Sequence, residues 1–111
     1  MEKRENQNIC IFTPLNQKMD KFSWGRLAEK IEQDSRLLAL DLSYVQDCTI
    51  EFLEGLKEIS QKKTLGIFNI PSDLFVLFNV MNIDKSAKLF VNESDFEYDC
   101  RQIINRNFSL I

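Results

Sequence analysis

The chain reads as an α/β domain: a small, mostly parallel or mixed sheet with about four helices. Three observations predict this class. Short apolar runs of strand length recur at residues 9–12, 37–42, 64–70 and 87–91. Between and after them lie stretches whose apolar residues return at helical spacing. No repeat, low-complexity tract or Pro/Gly/Ser-rich linker interrupts the 111 residues, 44% of them hydrophobic, so one domain with a single core accounts for the length.

"ICIF" at 9–12 is a brief strand that Pro14 stops, which suits a place near the sheet edge. From Ser23, "SWGRLAEKIEQDSR" puts Trp24, Leu27, Ala28 and Ile31 on one stripe and Arg26, Glu29, Lys30 and Gln33 elsewhere, an amphipathic helix. "LLALDL" at 37–42 is continuous and bounded by polar residues, as in a strand covered on both faces. The next helix carries Leu53, Leu56 and Ile59 inward, with Glu51, Glu54, Glu58 and Lys62 outward. "TLGIFNI" at 64–70 is a second buried strand, and Pro71 and Ser72 open a third helix over 72–83. "AKLFV" at 87–91 is the last strand. Ser94 reads as the N-cap of a fourth helix, with Asp95 and Glu97 in its first turn and Arg101 and Arg106 downstream, the polarity the helix dipole favours. Strand alternating with helix implies right-handed crossovers and a largely parallel sheet.

Composition excludes several functions. There is no histidine, which removes His-dependent triads, His-ligated metals and the commonest general base near neutral pH. A net charge of −3 with scattered cations argues against nucleic acid. Cys10, Cys48 and Cys100 are odd in number and widely spaced, with no C-x-x-C pair; they point to free thiols in a reducing cytoplasm, with no disulfide framework and no thiolate metal site. The start "MEKRENQN" is polar, and no run nears the ~18 apolar residues of a membrane span, so a cytoplasmic protein without direct membrane insertion is expected. With no glycine-rich phosphate loop and no cofactor motif, an enzyme is not expected.

The order and spacing of three segments resemble the STAS domain, the fold of bacterial anti-sigma-factor antagonists and of the cytoplasmic tails of sulphate transporters. "LLALDLSYV" (37–45) is similar to the family's central strand and its Asp-Leu-Ser-x-Val ending. "LNQKMD" (15–20) resembles the turn that usually reads apolar-x-Gly-x-Leu-Asp, with Gln17 where glycine is common. "FNVMNID" (78–84) resembles the close of the third helix, with Asn82 replacing glycine; asparagine tolerates the left-handed backbone such a turn needs. The resemblance covers about residues 9 to 97 and implies a non-catalytic protein–protein interaction module used in signal transduction and regulation.

In that family a phosphate-accepting serine follows the central strand, after an acidic residue and before Ser/Thr, Gly and Leu. Aligned without gaps, those five places hold Thr49, Ile50, Glu51, Phe52 and Leu53, so the usual acceptor is Ile50. Deleting two loop residues instead puts Asp47, Cys48 and Thr49 in the acidic and hydroxyl places, but sets Glu51 in the inward Leu place and spoils the apolar stripe. The ungapped version is preferred. Phosphate at a helix entrance adds about −1.5 to −2 charges and three acceptor oxygens to a docking surface, and Ile50 removes that switch at its usual place. Thr49 remains as a displaced acceptor one residue earlier. Against this, Thr49 or Asp47 as a plain N-cap is the commoner use of these residues, and Cys48 is either a small buried residue or a thiol near a helix start.

The third helix is more apolar than its place requires. Leu74, Leu77, Phe78 and Met81 make its inward stripe, leaving Phe75, Val76 and Val80 on the flank or outer face. These are either the centre of a partner-binding patch or are covered by the C-terminal segment 103–111. The expected partner-binding residues are therefore Asp47, Cys48, Thr49, Ile50, Phe75, Val76 and Val80. The resemblance implies a protein partner, either an anti-sigma or serine-kinase-like protein or, for a small transporter subunit handling lipid or solute, a transport ATPase. A small-molecule carrier is the third reading. Because only eight polar residues precede "NICIF", a missing first strand would leave that segment as an open edge for homodimer formation.

Overall fold

In the computed structural model, which describes the backbone of residues 1–109 and the side chains of residues 1–105, the chain is an α/β fold around a mixed five-stranded sheet. The strands are β1 (Glu2–Glu5), β2 (Ile9–Thr13), β3 (Lys18–Met19), β4 (Leu37–Asp41), β5 (Asp47–Cys48), β6 (Leu65–Phe68) and β7 (Lys88–Leu89). The helices are α1 (Lys21–Glu32), α2 (Ile50–Lys62), α3 (Ser72–Val80) and α4 (Glu93–Ser109), with a single 3-10 turn at Ile83–Lys85. The main sheet runs β1-β2-β4-β6-β7; β1 is antiparallel to β2 and the other pairs are parallel. β3 and β5 form a separate two-stranded parallel ladder.

Alternation along the strands sorts their side chains onto two faces. Phe12, Leu38, Leu40, Leu65 and Ile67 join Trp24, Leu27 and Ile31 of α1, Phe52, Leu53, Leu56 and Ile59 of α2, and Leu74 and Phe78 of α3 in one apolar cluster. On the opposite face Ile11, Ala39 and Phe68 pack with Phe96 and Cys100 of α4. The central strand is thus covered on both faces, as its unbroken apolar run predicts. Gly55 sets the α1–α2 crossing, since a Cβ there would overlap the Trp24 indole, whose ring packs edge-on against Phe52.

Several expectations are corrected. A first strand is present: Glu2–Glu5 pairs with Cys10–Thr13. "NICIF" is therefore an interior strand, and the open-edge route to a homodimer falls. Helix α1 starts two residues before Ser23, because the Asp20 carboxylate accepts from Ser23 N at 2.8 Å and Asp20 is the cap. Asn92, not Ser94, caps α4, accepting from Asp95 N at 3.0 Å. α3 ends at Val80, and Asn82 takes the left-handed conformation at φ 60° before the 3-10 turn, as the resemblance implies.

The remaining corrections concern α3's faces. Only Leu74 and Phe78 of its inward stripe are buried; Met81 is half-buried and Leu77 is 41% exposed. The described side chains of the C-terminal segment do not cover α3, because α4 packs on the other face of the sheet. Arg106 and the rest of that segment beyond residue 105 lie outside the described side chains.

Candidate protein-docking surface

Parallel strands place every following helix start at the same end of the sheet. β4 and β6 are hydrogen-bonded neighbours in register Leu40↔Ile67 and Asp41↔Phe68, so α2 and α3 begin side by side above their carboxyl ends. The entrance to α2 is fixed by the small β3–β5 ladder. Gln46 N and Asp47 N both donate to Gln17 O, at 2.7 and 3.0 Å, and Thr49 N donates to Met19 O at 2.9 Å. Met19 is buried in the main cluster and so anchors this clamp.

Within the clamp the four residues from 47 to 50 differ sharply. Asp47 is exposed, and its carboxylate accepts from its neighbour Cys48 N at 2.9 Å, not from the helix. Cys48 is half-buried against the core; burial first, and the Asp47 charge second, push its thiol up. Thr49 occupies the cap position of α2 in extended backbone, but its side chain makes no capping bond. Its Oγ1 is enclosed and has no hydrogen-bond partner among the described residues, so neither Thr49 nor Asp47 caps α2 through its side chain. Ile50, the first residue of α2, is 53% exposed.

On α3 the expected outer residues are exposed. Val76 and Val80 are 60% and 70% exposed and stand within about 40° of each other on the helix surface at 100° per residue. Phe75 and Leu77 flank them on either side. The structure brings Ile50 and the first turn of α3 to one end of the sheet, whereas Val80 closes α3, about 12 Å further along its axis. Tyr44, half-exposed in the loop between β4 and β5, is a member of this end that sequence periodicity did not single out, because loop residues carry no period.

The charge of this region is mostly negative, with Lys18 beside Asp47 in the β3–β5 ladder as the exception. Residues 37–56 and 64–84 contain no Lys or Arg, yet Asp47, Glu51, Glu54 and Asp73 are exposed there. None of these four carboxylates forms an ion pair among the described residues.

A second polar constellation sits at the same end but on the opposite sheet face. Asp41, 8% exposed, accepts at Oδ1 from Ser43 N at 3.1 Å, Ser43 Oγ at 2.8 Å and Asn69 Nδ2 at 3.1 Å. Its Oδ2 accepts from Thr13 Oγ1 at 3.5 Å and lies 3.7 Å from an Arg4 guanidinium nitrogen. Asn69 reaches it from a left-handed backbone, φ 55°. Arg4 in turn pairs with Glu93 at the start of α4, and that hydrogen bond raises the guanidinium pKa. Every oxygen of Asp41 is satisfied, so this is a structural node joining β1, β2, β4 and α4 and leaves no group free for chemistry. Among the described residues no three His, Cys, Asp or Glu side chains are placed to hold a metal ion, and no helix is long and apolar enough to cross a membrane.

Compared with known proteins, the chain matches no family model and no curated protein.

Proposed function

We propose that the chain is a non-catalytic protein-interaction module, similar to an anti-sigma-factor antagonist of the STAS type, that docks a protein partner through the entrance of α2 and the outer face of α3 without the usual serine switch. The observation that carries this is the outer face of α3: Phe75, Val76, Leu77 and Val80 are all exposed, and no described part of the chain covers them. Exposed apolar side chains gathered on one element raise the free energy of the isolated chain in water and gain most from a partner. The STAS reading is supported by the strand that precedes the 9–12 strand, by the buried central strand ending in Asp41-Leu42-Ser43, and by the left-handed Asn82.

Control by phosphate is disfavoured at both candidate positions. Ile50 has no hydroxyl, and the Thr49 hydroxyl is enclosed, so a kinase would have to open the β3–β5 clamp to reach it. Association is then set by surface fit and by the charge around the patch. The test is capture from the source cell with the wild-type chain and with a Val76→Asp, Val80→Asp variant. A protein retained by the first and lost with the second, from a chain of unchanged fold, is the expected result. Recovery of a serine-kinase-like protein indicates the signalling role, and recovery of a transport ATPase the transporter-subunit role. Equal capture by both variants, or stoichiometric phosphate on Thr49 in protein from its host, overturns the proposal.

A further inference from the structure

The outer flank of α1 carries the opposite charge to the docking end. Residues 21–30 hold three cations, Lys21, Arg26 and Lys30, against one acid, Glu29, a local balance of 3 − 1 = +2 in a chain of net −3, leaving −5 for the remainder. All three cations are exposed, and none is in an ion pair among the described residues. At their centre Phe22 is 69% exposed, with the Arg26 guanidinium 4.7 Å from its ring centroid. An exposed aromatic with an arginine over its ring combines the two residue types enriched at interface centres, and the lysines around it supply a charged rim.

The two surfaces lie on opposite flanks of the helical layer. α2 is in the middle: its Gly55 abuts Trp24 of α1, while its Ser60 Oγ hydrogen-bonds Ser86 Oγ beside the 3-10 turn that follows α3, at 2.6 Å. On α1, Arg26 and Lys30 line a groove with Met1, Pro14 and Asn16, on the side away from α2. The basic flank therefore faces outward from one side, and the apolar end of α2 and α3 belongs to the other.

We infer that a second copy of this chain docks by its α1 flank, Phe22 with Lys21, Arg26 and Lys30, onto the exposed apolar residues Ile50 and Val76 at the starts of α2 and α3, among the unpaired carboxylates Asp47, Glu51 and Asp73. This rests on the docking face proposed above and names a further occupant for it. Charge complementarity selects the occupant: the α2–α3 face offers unpaired carboxylates around Ile50 and Val76, and the α1 flank offers unpaired cations around an exposed phenylalanine. Because the two patches differ, the contact is head-to-tail and does not close after two copies, so it grows with concentration. It also competes with any other partner for the same face, so self-association is a concentration-dependent brake on partner binding.

Light scattering of the full chain, with two variants, tests this. At low salt the mean mass should rise above the 13.1 kDa monomer between about 10 µM and about 1 mM, and the rise should shrink severalfold when salt approaches about 0.5 M, where the screening length falls to a few Å. Phe22→Ala/Arg26→Glu removes the donor patch, and Ile50→Asp/Val76→Asp removes the acceptor patch; all four side chains are exposed, so circular dichroism should be unchanged. Each variant alone should stay monomeric. An equimolar mixture should give a discrete 1:1 dimer and nothing larger, since each supplies the patch the other lacks. A wild-type chain monomeric throughout, growth persisting in either variant, or a mixture that stays monomeric overturns the inference. So does binding of the α1 flank to phosphatidylglycerol vesicles without self-association, which would assign that flank to an anionic lipid surface. Partner capture retained by the Phe22→Ala/Arg26→Glu variant leaves the docking face standing even if self-association fails.

Discussion

The two ends of the parallel strands are finished in opposite ways. At the amino ends the side chains that lean over the sheet are locked. Arg36 donates through Nε and a terminal nitrogen to Asp34, through the other to Asn6 O at 2.9 Å, and to Glu5 Oε2 at 2.7 Å. Beside it the Lys63 ammonium donates to Ile31 O at 2.9 Å, to Glu32 O at 2.7 Å and to Asp34 O, tying α2 to the carbonyls at the end of α1 and just beyond it. At the carboxyl ends, on the helical side, a hydroxyl is enclosed without a partner and four carboxylates lack ion pairs among the described residues, and Ile50, Phe75 and Val76 face solvent. Where a chain closes its own hydrogen bonds, the residues there serve the fold. Where it leaves apolar and charged groups open on helices that are already well packed beneath, the residues are available to something else.

The largest effect that tests this contrast is expected from Arg36→Met. It strips Asp34, whose side chain is 11% exposed, of its guanidinium and should lower the urea midpoint more than any exposed substitution, because the carboxylate loses its charge-assisted hydrogen bonds. The matching change at the other end, Val76→Asp with Val80→Asp, should move stability by no more than about 0.5 kcal/mol per residue, as for exposed positions generally. A large loss from the valine pair would mean that the outer face of α3 is part of the fold, and the contrast would collapse.

Acid should attack the closed end first. The Arg36 guanidinium, hydrogen-bonded to Asp34, holds its carboxyl below the usual carboxylate range, and Glu5 is lowered by the same group. A carboxylate depressed in the folded state adds stability above its unfolded pKa, about 4, and loses it as pH falls through the folded value. Wild-type stability should therefore decline below about pH 4, and Arg36→Met should flatten that decline. An unchanged acid limb in the variant would show that the pair contributes nothing to folding.

Lys63→Met comes next, at about 1–2 kcal/mol, because the three carbonyls it serves lie at a helix end where water replaces part of what is lost. Hydrogen exchange should localise the change to the last turn of α1. Global loss without that local signature would make Lys63 a packing residue and not a cap.

The core was legible in the sequence, whereas the locked side chains of the closed end were not, because Arg36 and Lys63 reach Glu5 and Ile31 across about 30 residues. "LLALDL" and "TLGIFNI" each carry an apolar run that only a doubly covered strand needs, and β4 and β6 lie within them. The inward stripe of α2 likewise follows from spacing alone. β1 was invisible, since "EKRE" has no apolar alternation and is a strand only because β2 pairs with it. β3 and β5, two residues each, are created by a contact across about 30 residues that no local pattern encodes. Leu77 was assigned inward by helical spacing, but α3 lies against the sheet over too narrow a stripe to bury more than Leu74 and Phe78. Asn92 displaced Ser94 at the start of α4 because both are good caps and only the backbone decides which is used, and the Asp20 cap sets the start of α1 ahead of Ser23 in the same way. Of the docking surface, the exposure of Ile50, Val76 and Val80 was readable; the burial of the Thr49 hydroxyl depends on the β3–β5 ladder and was not.

The last expected effect is of opposite sign. Thr49 Oγ1 is enclosed without a partner among the described residues, and an unmet buried hydroxyl costs free energy because its bonds to water are lost and not replaced. Valine has nearly the same shape and carries no such group. Thr49→Val should therefore leave the clamp intact, since Thr49 N still donates to Met19 O, and should stabilise the chain by up to about 1 kcal/mol. Thr49→Ser, which keeps the hydroxyl and removes a methyl, should destabilise. If Thr49→Val instead destabilises, the hydroxyl has a partner in solution, a bound water or a rotated side chain, and the open end is more finished than the geometry indicates. If it stabilises and partner capture is undiminished, phosphate at this position plays no part in docking, and the hydrocarbon side chain of Ile50 is the feature of the α2 entrance that a partner meets.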